Sequence, residues 1–213
     1  FLQFLDSDDL LSLQKIELQL KALEDNSDVA YGGYRYFTEI NNINTAKKIP
    51  KPYYKDYDSG SDFLEALGAY DSFVPSHAYL VRKKCIESSG KWLETLKSNQ
   101  DGEFFCRVLL KANGIKYVSN SEVYYRIHNT SRVSSLGDFQ TFERRIKSWK
   151  MIQEHLRPYG LGNGMYVESA KKIIFREITK SAPILIFKHF GFFRNQIMTK
   201  FKKNRFTKLL END

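Results

Sequence analysis

Three carboxylates crowd into four consecutive residues near the beginning of the chain, Asp6-Ser7-Asp8-Asp9, directly after the apolar run Phe1-Leu2-Gln3-Phe4-Leu5. Carboxylates this close repel one another, and a hard divalent cation relieves that repulsion. If residues 1–5 form a strand buried on both faces, the acidic turn sits at the strand's carboxyl end, where open α/β sheets bind phosphorylated ligands. The dipole of a following helix accounts for one or two of these acids but not for a third. A second candidate is Asp101, in Gln100-Asp101-Gly102-Glu103, at the first turn of an expected amphipathic helix. A carboxylate there suits the positive end of the helix dipole. A third is His128, which closes Tyr124-Tyr125-Arg126-Ile127-His128 before the turn-like Asn129-Thr130-Ser131. The plainer alternatives are helix capping for Asp101 and a backbone contact for His128.

Competing motifs fit less well. A calcium-binding EF-hand loop wants an oxygen ligand and then a glycine where Leu10 and Leu11 stand. The phosphatases of the haloacid dehalogenase type expect Thr or Val at the position of Leu10. Asn129-Thr130-Ser131 matches a glycosylation acceptor, but the pattern is too short to weigh. Cys85 and Cys106 lack the close spacing of a zinc knuckle and read as two buried thiols in a reducing compartment.

The elements that must position these residues alternate between strand and helix. After the opening strand, residues 12–25 read as a helix with Ser12 as N-cap and Leu13, Ile16, Leu20 and Leu23 on its buried face. Residues 29–37 read as a strand, and 39–60 as a polar loop broken by Pro50 and Pro52, long enough to cover a site. A short helix over 62–67 and a strand over 73–81 follow. Residues 100–112 form a helix burying Phe104, Phe105, Val108 and Leu109, and 115–118 and 122–127 return to strand. From residue 138 the pattern is helical, with Phe139, Phe142, Ile146 and Trp149 on one face, a break at 158–164, and another helix over 165–180.

The 213 residues, 42% hydrophobic and 27% charged, suit one packed domain with an appendage, and no apolar run approaches the ~18 residues of a membrane-spanning helix. The net charge of +8 is localised: residues 1–170 carry 22 basic and 22 acidic side chains, whereas 171–213 carry 11 against 3. A basic tail interleaved with phenylalanines suits an anionic membrane surface; a solvated helix with its rings in the core is the bland alternative, and nucleic acid is the least favoured partner.

Over residues 1 to about 135 the chain resembles the family 2 glycosyltransferases of the GT-A fold. Phe4-Leu5-Asp6-Ser7-Asp8-Asp9-Leu10 is similar to that family's strand and Asp-x-Asp motif. Ser89-Gly90-Lys91-Trp92 partly matches its Gly-Gly-aromatic turn, Gln100-Asp101 stands where Glu-Asp is usual, and Tyr125-Arg126-Ile127-His128 matches its Tyr-Arg-x-His segment. The resemblance implies an α/β domain with a mixed, mostly parallel sheet flanked by helices, over residues 1–137, and a helical, basic region over 138–213. The nucleotide-binding strands that begin such a domain are expected upstream of residue 1, so that this piece alone would bind donor poorly.

The same resemblance implies metal-dependent, inverting transfer of a sugar from a nucleotide-diphosphate donor to a hydroxyl of a glycan or lipid-linked acceptor, in cell-surface polysaccharide or glycoconjugate synthesis. Asp101 would be the catalytic base. Asp6, Asp8 and Arg126 would bind the nucleotide sugar, with Arg126 either near the diphosphate or structural. Asp8 and His128 would hold Mg2+ or Mn2+, and Trp92 would face the acceptor; the tyrosines of residues 53–57 could stack on sugar faces there as well, although a place in the aromatic core is the favoured reading for any single one of these rings. A cytoplasmic location at the inner face of the membrane is expected. The alternative is a non-catalytic sugar-nucleotide or partner-binding module with a basic surface-binding tail.

Overall fold

A computed structural model describes residues 1–45, 47–48, 50–127 and 139–210 of the chain. In order, the strands and helices are β1 (Leu10–Leu11), α1 (Lys15–Ala22), β2 (Val29–Tyr31), β3 (Tyr34–Phe37), β4 (Tyr57–Ser59), α2 (Gly60–Ala69), β5 (Tyr79–Val81), α3 (Lys83–Ser89), α4 (Gln100–Lys111), β6 (Asn113–Tyr117), β7 (Val123–Arg126), α5 (Phe139–Leu156), α6 (Met165–Ser181), α7 (Ile184–Lys188) and α8 (Phe190–Leu210). Single 3-10 turns add Ile40–Thr45, Ser76–Ala78 and Arg157–Tyr159.

The strands make two small mixed sheets, β4-β6-β2-β5 and β1-β7-β3. β2 runs parallel to β6 and antiparallel to β5, with Ala30 opposite Lys116 on one side and Leu80 on the other. β3 runs parallel to β7, β1 antiparallel to it, and β4 antiparallel to β6. The expected mostly parallel sheet is therefore corrected: among the described residues antiparallel pairings outnumber parallel ones. Only the β2–β6 and β3–β7 pairs are parallel, and the strands added at the edges run the other way, a common finish to a mixed sheet.

The expected single strand over 29–37 divides at Gly32-Gly33, and its halves join different sheets. A Cβ at Gly32 would collide with the carbonyl oxygen of Ser121, so the crossing requires glycine. The division matters for function, because the second sheet carries Asp9, just before β1, alongside Arg126 at the end of β7.

The opening run is not a buried strand. Only Leu2 bridges to Val81, and Phe1 and Leu5 are half exposed. Its apolar content is spent elsewhere: Phe4 packs edge-on against Phe104 and Phe105, with ring centroids 5.9 and 5.6 Å apart. The helix expected over 12–25 is shorter, and of its expected buried face only Leu23, just past the end of α1, is buried. Leu13 is fully exposed and Ile16 and Leu20 lie at the surface, whereas Lys15 and Gln19, one turn apart, are buried. Lys15 Nζ donates to Gln19 Oε1 at 2.7 Å, to Gln3 Oε1, and to the Tyr79 carbonyl at 3.4 Å. Gln19 Nε2 donates to the Ala78 carbonyl at 3.0 Å and to Ser121 Oγ at 2.9 Å. Buried polar groups are tolerated when satisfied in this way, and here they beat the hydrophobic stripe.

The main core lies between the four-stranded sheet and α2 and α4, around Tyr31, Phe63, Tyr79, Phe105 and Ile115. The face expected on α4 is the face it buries. Ile152, Leu156 and Val167 of the C-terminal helices join this core, while Phe142, Ile146, Ile174, Leu185 and Phe193 form a second cluster among α5 to α8. Cys85 and Cys106 are free and buried.

Candidate active site

The acidic turn is built by the second sheet. The Asp9 N–H donates to the Asp6 carbonyl at 3.2 Å, closing the turn, and the buried Asp9 carboxylate fixes it in place. Its Oδ1 accepts the Arg126 backbone N–H at 2.8 Å, and its Oδ2 lies 3.1 Å from Nδ1 of the buried His77. The His77 ring stacks on Tyr125, nearly parallel at 5.8 Å. Burial, with a smaller contribution from Lys15, pushes the imidazole down to about 4, so His77 is neutral at pH 7. Burial pushes Asp9 up to about 6.

Arg126 holds the same turn with its side chain. Its Nε donates to the Asp8 carbonyl at 3.0 Å and one terminal nitrogen donates to the Thr38 carbonyl at 3.1 Å, while the guanidinium lies 4.6 Å from the Phe37 ring centroid. Of the two roles expected for Arg126, this geometry displays the structural one: it ties the acidic turn to β3 and β7.

Asp6 is exposed at the turn's tip. Partial burial, then the charge of Asp8, then that of Asp101 raises its carboxyl above the ordinary range. The third contribution is the informative one, because Asp101 is 95 positions away in sequence and lies on the first turn of α4, the helix whose Phe104 and Phe105 pack on Phe4. Asp6, Asp8 and Asp101 thus share one electrostatic neighbourhood. His128, the Asn129-Thr130-Ser131 turn and the expected boundary at 137/138 lie outside the described residues.

Trp92 is half buried and clamps the two acidic segments together. Its ring packs 4.5 Å from Phe104 and 5.9 Å from Phe4, and its Nε1 donates to Gln100 Oε1 at 3.3 Å. Phe4 precedes Asp6 by two positions and Gln100 precedes Asp101, so the indole spans both. The tyrosines of residues 53–57 are not an open platform. Tyr53 and Tyr57 are buried, and the Tyr53 carbonyl accepts from Tyr31 Oη at 2.6 Å and from Tyr57 Oη at 3.1 Å. For Tyr53 and Tyr57 the favoured reading, a place in the aromatic core, is the one the structure has, whereas Tyr54 is only partly buried.

The start of α4 carries a feature the sequence pattern did not reveal. Asn99 adopts a left-handed conformation with φ of 52°, one of the few non-glycine types that does so readily. Its Nδ2 donates to Ser148 Oγ of α5 at 3.0 Å. The Asn99 side chain occupies the space that a Cβ at Gly102 would need, which explains why glycine follows Asp101. Asp101 itself is exposed and borders a cavity of about 140 Å3 lined by Phe73, Tyr79, Phe105, Trp149 and Tyr166, among others. Burial first, and then neighbouring charges including Asp101, raise the phenols of Tyr79 and Tyr166, which remain protonated donors.

The neighbouring acid Glu103 is spoken for. It is fully buried and accepts from Arg107 Nε at 2.8 Å, with His155 Nε2 2.7 Å away. Burial alone would raise it, but these partners hold it below the usual range. Asp101 is thus the acid of this helix turn that is open to a ligand. His77, Lys15, Asn99 and Tyr166 are the residues that sequence reasoning missed, and Asp9 was seen only as one of three crowded acids; the left-handed Asn and the polar pair on a helix face leave almost no signal in a single sequence.

No protein-family model matches the chain, and no curated protein sequence is significantly similar to it. Solved structures do match by shape. TarS residues 1–349 from S. aureus, in complex with UDP-GlcNAc, aligns at a TM-score of 0.53 and 17% identity over 84% of this chain and 49% of that one. The same TarS fragment in complex with UDP aligns at 0.51 and 16% identity over 81% and 44%, and the longer TarS structure at 0.52 and 15% identity over 86% and 29%. The chain spans half or less of the length of these neighbours. Its α/β arrangement of mixed sheets flanked by helices is the fold it has in common with TarS.

Proposed function

We propose that this chain carries the diphosphate and acceptor sides of an inverting, GT-A type glycosyltransferase of family 2, which moves a sugar from a nucleotide-diphosphate donor to a hydroxyl of a glycan or lipid-linked acceptor. The observation that carries the proposal is that Asp101, at the edge of an aromatic cavity, and Asp8 both act electrostatically on Asp6. The fold in common with a protein solved with UDP-GlcNAc and UDP makes a uridine-diphosphate sugar the first donor to test.

Asp101 accepts the proton of the acceptor hydroxyl as that oxygen attacks the anomeric carbon from the face opposite the nucleotide; the bond from that carbon to the diphosphate oxygen breaks, and the configuration inverts. Trp92 and Asn99 hold the helix turn of Asp101 in register with the acidic turn, which supplies the alignment a weak base needs. Trp92 would also face the acceptor.

Among the described residues no trio of metal-ligating side chains is preassembled. A magnesium site does not need one, since one or two carboxylates suffice and water and phosphate oxygens complete the shell. Burial first, and then the charges of Asp8 and Asp101, raise the Asp6 carboxyl, and a cation would offset the part that comes from charge. Asp8 and His128 would hold Mg2+ or Mn2+, with Asp6 helping to order the shell. When bound, the ion offsets the charge that develops on the departing diphosphate.

No helix among the described residues is long and apolar enough to cross a membrane; a peripheral position at the cytoplasmic membrane face, close to a lipid-linked acceptor, completes the proposal. The test is Asp101→Asn in the protein as encoded, assayed for transfer from UDP-GlcNAc and for UDP-GlcNAc binding by calorimetry. Transfer should fall by about 10²–10⁴-fold with donor affinity unchanged. Undiminished transfer overturns the assignment of the base.

A further inference from the structure

We infer that the short helix α7 and the start of α8 form a wedge that inserts into the headgroup layer of an anionic lipid bilayer. The inference deepens the peripheral membrane position of the proposed function and rests on none of its sugar-transfer chemistry. Ile184 and Phe187 lie one turn apart on α7 and are 62% and 75% exposed; Phe190, opening α8, is 52% exposed. These are large apolar side chains held outward by their own neighbours. Leu185, Phe192 and Phe193 of the same segment are buried against α5 and α6, and His189 is anchored by Glu143 Oε2 at 3.0 Å and by Lys150 Nζ at 2.9 Å. The segment is therefore clamped on one side and greasy on the other.

Charge selects the occupant. From residue 178 to residue 210 the chain has eight Lys or Arg and no Asp or Glu. Lys180, Lys188 and Arg194 flank the apolar residues and are exposed. Lys188 pairs with Glu143 at 2.6 Å and lies 5.5 Å from the ring centroid of Phe139, itself partly exposed beside the wedge. An apolar tip surrounded by cations matches an interface that is apolar a few ångströms deep and negatively charged at its surface. α7 is far too short to span, so the contact is a shallow insertion.

The experiment places a fluorophore at the tip. Phe187→Trp should shift its emission to the blue, and be quenched by brominated lipid, when phosphatidylcholine–phosphatidylglycerol vesicles are added, but not with phosphatidylcholine alone. Ile184→Ser combined with Phe187→Ser should lower partitioning onto the anionic vesicles by at least about tenfold. Both side chains are exposed, so thermal unfolding of this double variant should match the parent; where it does not, the Phe187→Trp emission decides alone. No emission change with anionic vesicles overturns the wedge. So does a change that follows protein concentration without lipid, which would make a second copy the occupant, or one that RNA produces and vesicles do not.

Discussion

Asp9 offers the sharpest check on how the acidic turn is held, because two descriptions of it predict opposite signs. If Asp9 and His77 formed a buried ion pair, the carboxyl would be depressed and stability would be lost on acidification. The structure instead has burial, ahead of every other influence, raise Asp9 to about 6 from 3.8, beside an imidazole lowered to about 4. A carboxyl raised in the fold contributes stability that is fully present below the unfolded value and is lost as pH rises through the folded one. The gap corresponds to about 3 kcal/mol between roughly pH 4 and pH 7. Asp9→Asn keeps an oxygen to accept from the Arg126 N–H and removes the charge. Urea unfolding of parent and variant, in EDTA so that no divalent ion intervenes, should therefore show the parent losing about 3 kcal/mol relative to the variant across that range. A difference that is flat with pH, or one in which the parent gains as pH rises, refutes the reasoning.

Lys15, lowered by burial to about 7 from 10.5, titrates in the other direction: relative to Lys15→Met, the parent should gain stability as pH rises from about 7 toward 10.5, measured by the same unfolding curves. Trp92→Ala should cost roughly 2 kcal/mol through lost packing on Phe4 and Phe104 and should lower kcat by loosening Asp101 from the acidic turn, whereas Trp92→Phe should restore most of both. Asp8→Asn should abolish the binding of Mn2+ in the presence of UDP, followed by electron paramagnetic resonance, while leaving the melting temperature within a few degrees. Burial raises Cys85 to about 11 and Cys106 to about 12, so neither should react with a thiol reagent until the chain is unfolded in denaturant.

Much of the site was legible before any coordinates. Crowded carboxylates signal chemistry wherever they fall, and the apolar spacing of Phe104, Phe105, Val108 and Leu109 both predicted α4 and oriented it. Placing Asp101 at its first turn followed from that. The resemblance to glycosyltransferases supplied an order of landmarks, and the fold in common with TarS agrees with it at the level of shape. The fates of individual aromatic residues were not legible: Trp92 and Tyr53 look alike as candidates, yet one sits at the junction of the acidic segments and the other fills the core.

The amino-acid sequence by itself determined where charge concentrates, which residue types are available for chemistry, and the strongly periodic helices, because these depend on neighbours within a turn or two. Tertiary structure alone decided which face of α1 is buried. Lys15 and Gln19 could be taken inside only because Gln3, Tyr79, Ala78 and Ser121, scattered over more than a hundred positions, supply their hydrogen-bond partners. It also decided the split of residues 29–37 between two sheets and the meeting of Asp101 with Asp6 and Asp8. Each of these rests on contacts between residues far apart in the chain, whose energies no local pattern encodes.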